Sequence, residues 1–370
     1  MTANRQAIRR IVIKLGTGVL TKGIGEIDRE VLRSVSGDLA KLRADGAEVC
    51  LVSSGAVGMG MKSLGFTYRP SVLADLQACA AIGQIHLMNA WRETLGECGL
   101  EASQILLTRE DVRHRERHLA VRSVIERIFA AGKIIPIINE NDSVSTAEIR
   151  FGDNDVLSAL VASLLHADLL LILSTAPGLI DPASGKVQVV VGKIDERIEA
   201  MAGGTTSQTA VGGMVTKLAA AKIANRSGCG VFIGEGRKEG IALRMLAGEP
   251  EGTFFVPEET RISSRKRWLA FFQRSAGSLV LDPGAVRAVK ENGRSLLAKG
   301  ILGVEGTFSA NEVVALKDAG GNLIAKGIVA FGNRELQEIK GMANQEIALR
   351  FPDQRRLEVI HRDDLVLNHD

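Results

Sequence analysis

The sequence predicts an α/β protein: an open, mainly parallel sheet sandwiched by helices, followed by a small, mostly-β C-terminal domain. Three observations predict it. Short apolar runs alternate with longer amphipathic stretches through roughly the first 256 of 370 residues. A polar, basic stretch carrying Arg261, Arg265, Lys266 and Arg267 then breaks that rhythm. Beyond it, short apolar runs recur between glycines.

Residues 10–15, 48–53, 102–107, 134–138 and 169–173 read as buried strands, because each run is apolar and most are rich in Val or Ile. Between them, 29–44, 72–96, 109–131 and 155–165 carry helical periodicity. Strand-helix alternation of this kind covers both faces of a parallel sheet. Residues 231–234 and 253–256 add late strands. The expected domains are 1–258, a linker at 259–275, a compact domain at 276–355 and a tail at 356–370. Within the C-terminal domain, 279–281, 300–304, 313–317 and 323–329 read as strands.

Composition narrows the function classes. Hydrophobic residues make up 45% and charged residues 24%, the balance of an ordinary globular chain. A formal net charge of +3 does not force a nucleic-acid or anionic-membrane surface. Lys14 interrupts the apolar run after the basic N-terminus, and the run at 169–173 is far short of the roughly 20 residues a membrane span needs. A cytoplasmic protein without a membrane partner is expected. Cys50, Cys79, Cys98 and Cys229 form no CxxC pair and read as core thiols.

Five segments carry candidate chemistry. Val12-Ile13-Lys14-Leu15-Gly16-Thr17-Gly18 ends a strand in a lysine and a glycine loop. Glycines let backbone N–H groups approach an anion, and the lysine adds a point charge. The same residues also suit a strand-end lysine snorkelling to solvent. Ser53-Ser54-Gly55-Ala56-Val57-Gly58 follows another strand and opens toward a helix, offering hydroxyls and N–H groups to a carboxylate or phosphate, or simply a tight turn. Asn139-Glu140-Asn141-Asp142 suits recognition of an amino group, and equally suits an Asx turn.

Gly152-Asp153-Asn154-Asp155 precedes a helix. One of its polar residues has an ample role as N-cap, but capping does not need three in a row. A carboxylate here can hold lysines in position or assist magnesium. Gly212-Gly213-Met214-Val215-Thr216-Lys217 places glycines before a helix and a lysine in its first turn, an anion site that is not a GxxxxGK[ST] loop. His114 and His118 do not form HExxH, and no metal ligands are assigned. No general base stands out. A carboxylate acceptor, ionised at its reference pKa of about 4.3, needs none.

In this order, the five segments resemble the amino acid kinase family, with Asn139-Glu140-Asn141-Asp142 and Gly152-Asp153-Asn154-Asp155 the most specific element. The C-terminal region resembles a PUA domain. The resemblance is nearest to members that phosphorylate the side-chain carboxylate of glutamate, with ATP as donor and Mg2+ as cofactor. It implies that Lys14 and Lys217 contact the transferring phosphoryl group and that Asp155 holds both. It further implies that Ser54, Gly55, Ala56, Asp142 and Asn154 bind L-glutamate, with Asn139 and Asp153 nearby. Gly16, Ser174, Thr175, Val211, Gly212, Gly213 and Met214 would lie beside the nucleotide, with Lys14 and Lys217.

Where the family usually has Thr-Asp, Ser174-Thr175 stands here, and Val211 replaces a threonine; both changes remove polar contacts on the nucleotide side. The implied product is γ-glutamyl phosphate, the first intermediate of proline synthesis, with proline as feedback inhibitor. A homo-oligomer and functional coupling to the next enzyme of that pathway are also expected. The alternatives are a related kinase acting on acetylglutamate, aspartate or carbamate, and an RNA-binding protein acting through the PUA-like domain. Over 276–355 the sequence has ten Lys or Arg and nine Asp or Glu, not the basic footprint of an RNA surface.

Overall fold

The computed structural model describes residues 8–145, 154–203, 213–249, 252–258, 275–351 and 357–368. The chain divides into two compact units, Met1–Arg261 and Ile262–Asp370.

The first unit is built on one sheet. Its strands are β1 (Arg10–Leu15), β4 (Glu48–Ser53), β5 (Glu101–Leu107), β6 (Ile134–Glu140), β7 (Leu169–Ser174), β8 (Val190–Val191), β9 (Gly230–Glu235) and β10 (Gly252–Phe255). Two short strands, β2 (Thr21–Gly23) and β3 (Glu26–Ile27), form a separate hairpin. The sheet order is β5-β6-β4-β1-β7-β9-β10-β8. All neighbours run parallel except β9 and β10. Strands such as β1 and β7 are buried almost throughout, which explains their continuous apolar sequence.

The chain passes from β1 to β4 on one side and later returns to β7 on the other. Strand order therefore changes direction at β1, where open α/β sheets bind ligands beyond the carboxyl ends of their strands. Lys14, Ser53 and Ser174 all stand at those ends, and Asn139 and Glu140 end β6.

The predicted helical stretches 29–44, 72–96 and 155–165 are helices, and further helices flank them. Together they are α1 (Thr17–Leu20), α2 (Arg29–Ala44), α3 (Ala56–Met61), α4 (Leu73–Glu97), α5 (Arg109–Arg113), α6 (Arg115–Ala130), α7 (Asn154–Leu165), α8 (Glu196–Ala202), α9 (Met214–Arg226) and α10 (Ile241–Leu246). The expected single helix over 109–131 is two. Thr108 and Asp111 close a capping box around α5, and His114 takes an extended conformation that ends α5 and starts α6. Helices α3 and α4 approach so closely that both contact positions are glycine: a Cβ on Gly60 would lie 1.9 Å from the Cys79 carbonyl oxygen. Among the cysteines, Cys50, Cys79 and Cys229 are buried as expected, whereas Cys98 is exposed just past the C-terminal end of α4.

The second unit has a five-stranded sheet in the order β12-β11-β13-β14-β15, from β11 (Gly277–Leu281), β12 (Ile301–Gly306), β13 (Val313–Lys317), β14 (Leu323–Ile328) and β15 (Leu365–Leu367). Among its described residues are the short helices Pro283–Lys290, Asn333–Ile339 and Asn344–Arg350, whose periods were too brief to read in the sequence. The tail joins this unit: Val359 and Ile360 enter its core, and β15 pairs with β14. The polar linker falls almost wholly outside the described residues.

Candidate active site

The centre of the site is a buried charge cluster. Lys14 is 4% exposed near the end of the central strand β1. Asp155 is fully buried in the first turn of α7, and Lys217 is 6% exposed in the first turn of α9. Helices α7 and α9 pack together, which brings their first turns to the same place. Lys14 Nζ lies 2.5 Å from Asp155 Oδ1, and Lys217 Nζ lies 3.0 Å from Asp155 Oδ2. The Thr216 hydroxyl stands 3.1 Å from the same Oδ2 and 2.9 Å from the Gly213 carbonyl.

The electrostatics follow from burial and count. Desolvation by itself pushes the Asp155 carboxyl up. The charges of Lys14 and Lys217, and their hydrogen bonds, outweigh it and hold the group below its ordinary value. A lysine at the N-terminal end of a helix opposes the helix dipole, a cost that the Asp155 carboxylate offsets. Among the described residues, two ammonium groups share the Asp155 carboxylate in a dry setting. Such a centre attracts an anion strongly.

Beside it runs a chain of amides. Asn154 Nδ2 donates to Ser54 Oγ at 2.8 Å and to Asn139 Oδ1 at 3.0 Å, and lies 3.3 Å from the Ser53 carbonyl. Asn139 Nδ2 donates to Gln84 Oε1 at 2.9 Å. The Trp91 indole N–H donates to Ser53 Oγ at 3.0 Å and fixes the strand end that precedes Ser54. Gly55 has φ 103°, a left-handed conformation that turns the chain from β4 into α3. Ala56, Gln84, Glu140, Asn141 and Asp142 help line a cavity of about 260 Å³.

The model of the Amino acid kinase family matches residues 9–235, and that of the PUA domain matches 277–348. The chain belongs to the amino acid kinase family. Among its relatives, a protein of Syntrophotalea carbinolica named Glutamate 5-kinase is 45% identical over 366 residues, 97% of each chain. A Glutamate 5-kinase of Marinomonas sp. is 42% identical over 364 residues, covering 97% of each chain. One of Acinetobacter baylyi is 41% identical over 367 residues, covering 98% of this chain and 97% of its own. A Giardia carbamate kinase structure overlays with a TM-score of 0.49 at 17% identity, over 68% of this chain and all of that one.

In this amino acid kinase, the structure brings Lys14, Asp155 and Lys217 together, and separately joins Ser54, Asn139 and Asn154 by hydrogen bonds. Asn154 and Asp155 are consecutive, so the two groups abut. Ala56 and Asp142 share the cavity wall. Gly16 donates its N–H to the Leu173 carbonyl, and a Cβ there would sit 3.4 Å from Lys14 Nζ. Ser174 is buried and accepts from the Ala176 N–H at 3.0 Å, while Thr175 is exposed against Gly18. Gly213 caps α9 and Met214 begins it. Asp153, Val211 and Gly212 lie outside the described residues.

Three participants were not singled out in the sequence. Gln84 sits in the middle of a long helix, with no local pattern to mark it. Thr216 was within a quoted motif but had no assigned role. Arg237 donates to the Gly18 carbonyl at 3.0 Å and the Thr21 carbonyl at 2.8 Å, bracing the glycine loop from a position 219 residues beyond Gly18. Neither Gln84 nor Arg237 has a short-range signal, because each acts on a strand end that is remote in sequence.

Proposed function

We propose that this amino acid kinase transfers the γ-phosphoryl group of ATP to the side-chain carboxylate of L-glutamate, forming γ-glutamyl phosphate and ADP. The observation that carries the proposal is the pair Lys14 and Lys217 on opposite oxygens of Asp155, a buried cluster that sets two ammonium groups at one place. Relatives named Glutamate 5-kinase, at 41–45% identity over nearly the full chain, support glutamate as the acceptor.

In the step itself, one oxygen of the glutamate γ-carboxylate attacks the γ-phosphorus and the bond to the ADP oxygen breaks. Negative charge spreads over the migrating PO₃ unit, and the two ammonium groups stabilise it. The acceptor is already ionised, so no proton needs removing. The protein's task is alignment and charge neutralisation.

Among the described residues, no group of three or more His, Cys, Asp or Glu forms a metal cage. Both Asp155 oxygens already face lysines. Mg2+ would enter the reaction as the companion of the ATP phosphates. The nucleotide would lie against Ser174, Thr175, Gly213 and Met214.

Proline keeps the α-amino and α-carboxylate groups of glutamate, and so has the chemistry to compete at the same end of the pocket. An acyl phosphate hydrolyses readily, which favours prompt consumption by a coupled enzyme. Homo-oligomer formation and a cytoplasmic location belong to the same proposal. Among the described residues, no helix is long and apolar enough to cross a membrane.

The test is glutamate-dependent ADP release from MgATP, run beside acetylglutamate, aspartate and carbamate and repeated with proline. Turnover with glutamate above every other acceptor is expected. Turnover with another acceptor, and none above buffer with glutamate, sinks the proposal.

A further inference from the structure

The orientation of three side-chain amides is set by a single backbone group. Asn139 accepts the N–H of Glu140 at 2.9 Å, and a backbone N–H only donates, so the accepting atom must be Oδ1. The other end of the Asn139 amide is then NH₂, and the Gln84 atom 2.9 Å away must be its carbonyl oxygen. By the same logic the Asn154 atom 3.0 Å from Asn139 Oδ1 is its NH₂, which also faces the Ser53 carbonyl. The chain of amides thus has a fixed polarity, and each of its ends is left open. Gln84 Nε2 is a buried donor and Asn154 Oδ1 a buried acceptor, and neither has a hydrogen-bond partner among the described residues.

A buried donor without a partner costs free energy, so its persistence at a cavity wall points to a ligand. Gln84 lines the cavity of about 260 Å³ with Ala56 and Asp142. The open groups are complementary to a zwitterion: an acceptor for an ammonium and a donor for a carboxylate. Their order also matches an amino acid. Asp155, with its two lysines, adjoins Asn154; Asn139 follows, and Gln84 comes last. A substrate whose side-chain carboxylate faces the lysines therefore places its backbone carboxylate toward Gln84.

Resting on the glutamate reading above, we propose that Gln84 is a specificity-determining residue, whose Nε2 donates to the α-carboxylate of the acceptor amino acid while Asn154 Oδ1 accepts from its ammonium group. Gln84 thereby distinguishes an α-amino acid from a simple carboxylate.

The test is Gln84→Glu. This variant keeps an oxygen to accept from Asn139 but replaces the donor with a negative charge. The KM for glutamate should rise about 100-fold, with kcat and the KM for ATP within about threefold of wild type and an unchanged unfolding temperature. Gln84→Met, which also lets go of Asn139, should raise the same KM and lower kcat as well.

Should Gln84→Glu keep the wild-type KM while Gln84→Met does not, Gln84 serves only to orient Asn139 and the assignment is overturned. Equal losses in kcat and in both KM values, or a lowered unfolding temperature in Gln84→Glu, would mark a purely structural role and overturn it too. Wild-type protein inert toward glutamate would overturn the functional reading instead, and this assignment along with it.

Discussion

Lys217 reaches Asp155 across 62 positions of sequence and donates to its Oδ2 at 3.0 Å, with both side chains almost wholly removed from water. The contact joins the first turns of two packed helices. It leaves the other carboxylate oxygen for Lys14, so each lysine depends on the same anion for its place.

Removing either ammonium group should therefore be costly to catalysis. Lys14→Ala and Lys217→Ala are each expected to lower kcat by about 100-fold or more, the scale of losing one preorganised charge donor. Steady-state ADP release at saturating glutamate checks this, and near-normal turnover in either variant contradicts the role given to that lysine.

Asp155 should show its burden in stability as well as rate. Leaving two buried ammonium groups without their carboxylate in Asp155→Asn should destabilise the first unit by about 3–5 kcal/mol near neutral pH. The folded carboxyl is held below its ordinary value, because the two lysines overcome the desolvation of the buried group. A group lowered in this way contributes its full stability above the unfolded value. It loses that contribution as pH falls through the folded one. The gap between wild type and Asp155→Asn should thus hold steady at neutral pH and narrow below about pH 4. Denaturant unfolding across that range reads it directly; a gap that widens on acidification has the wrong sign.

Asp142 lines the cavity beside Ala56 and Gln84. Asp142→Ala should raise the KM for glutamate by about tenfold or more while leaving the KM for ATP in place, as expected for the loss of a charge-assisted contact. Unchanged glutamate dependence removes Asp142 from the acceptor side.

Gly83 in α4 touches the loop that carries Ser54 to Ala56. A Cβ there would lie 1.8 Å from the Ala56 carbonyl oxygen and 2.5 Å from the Gly60 nitrogen. Gly83→Ala should push α3 off α4, costing about 1–3 kcal/mol, and should disturb glutamate binding through Gly55 and Ala56. Thermal unfolding and the KM for glutamate report both effects; wild-type values for both would show that the helices part freely.

The sequence by itself determined where the main strands and the longer helices of the first unit lie, because period-two and period-3.6 burial write themselves into neighbouring residues. It placed β1, β4 and α2 to the residue, and it marked the polar and glycine segments that cluster at the strand ends. Its motifs also identified the family. Only the tertiary structure decided which of those segments meet. Sheet order sets β1 between β4 and β7, and packing of α7 on α9 carries Lys217 to Asp155. The links from Gln84 to Asn139, and from Arg237 to the glycine loop, span 55 and 219 positions. No local pattern encodes them, since a side chain's own neighbours do not specify its partner across the sheet. The break at His114 and the return of 365–367 to the second sheet were likewise settled by capping and by strand pairing, beyond the reach of hydrophobic period alone.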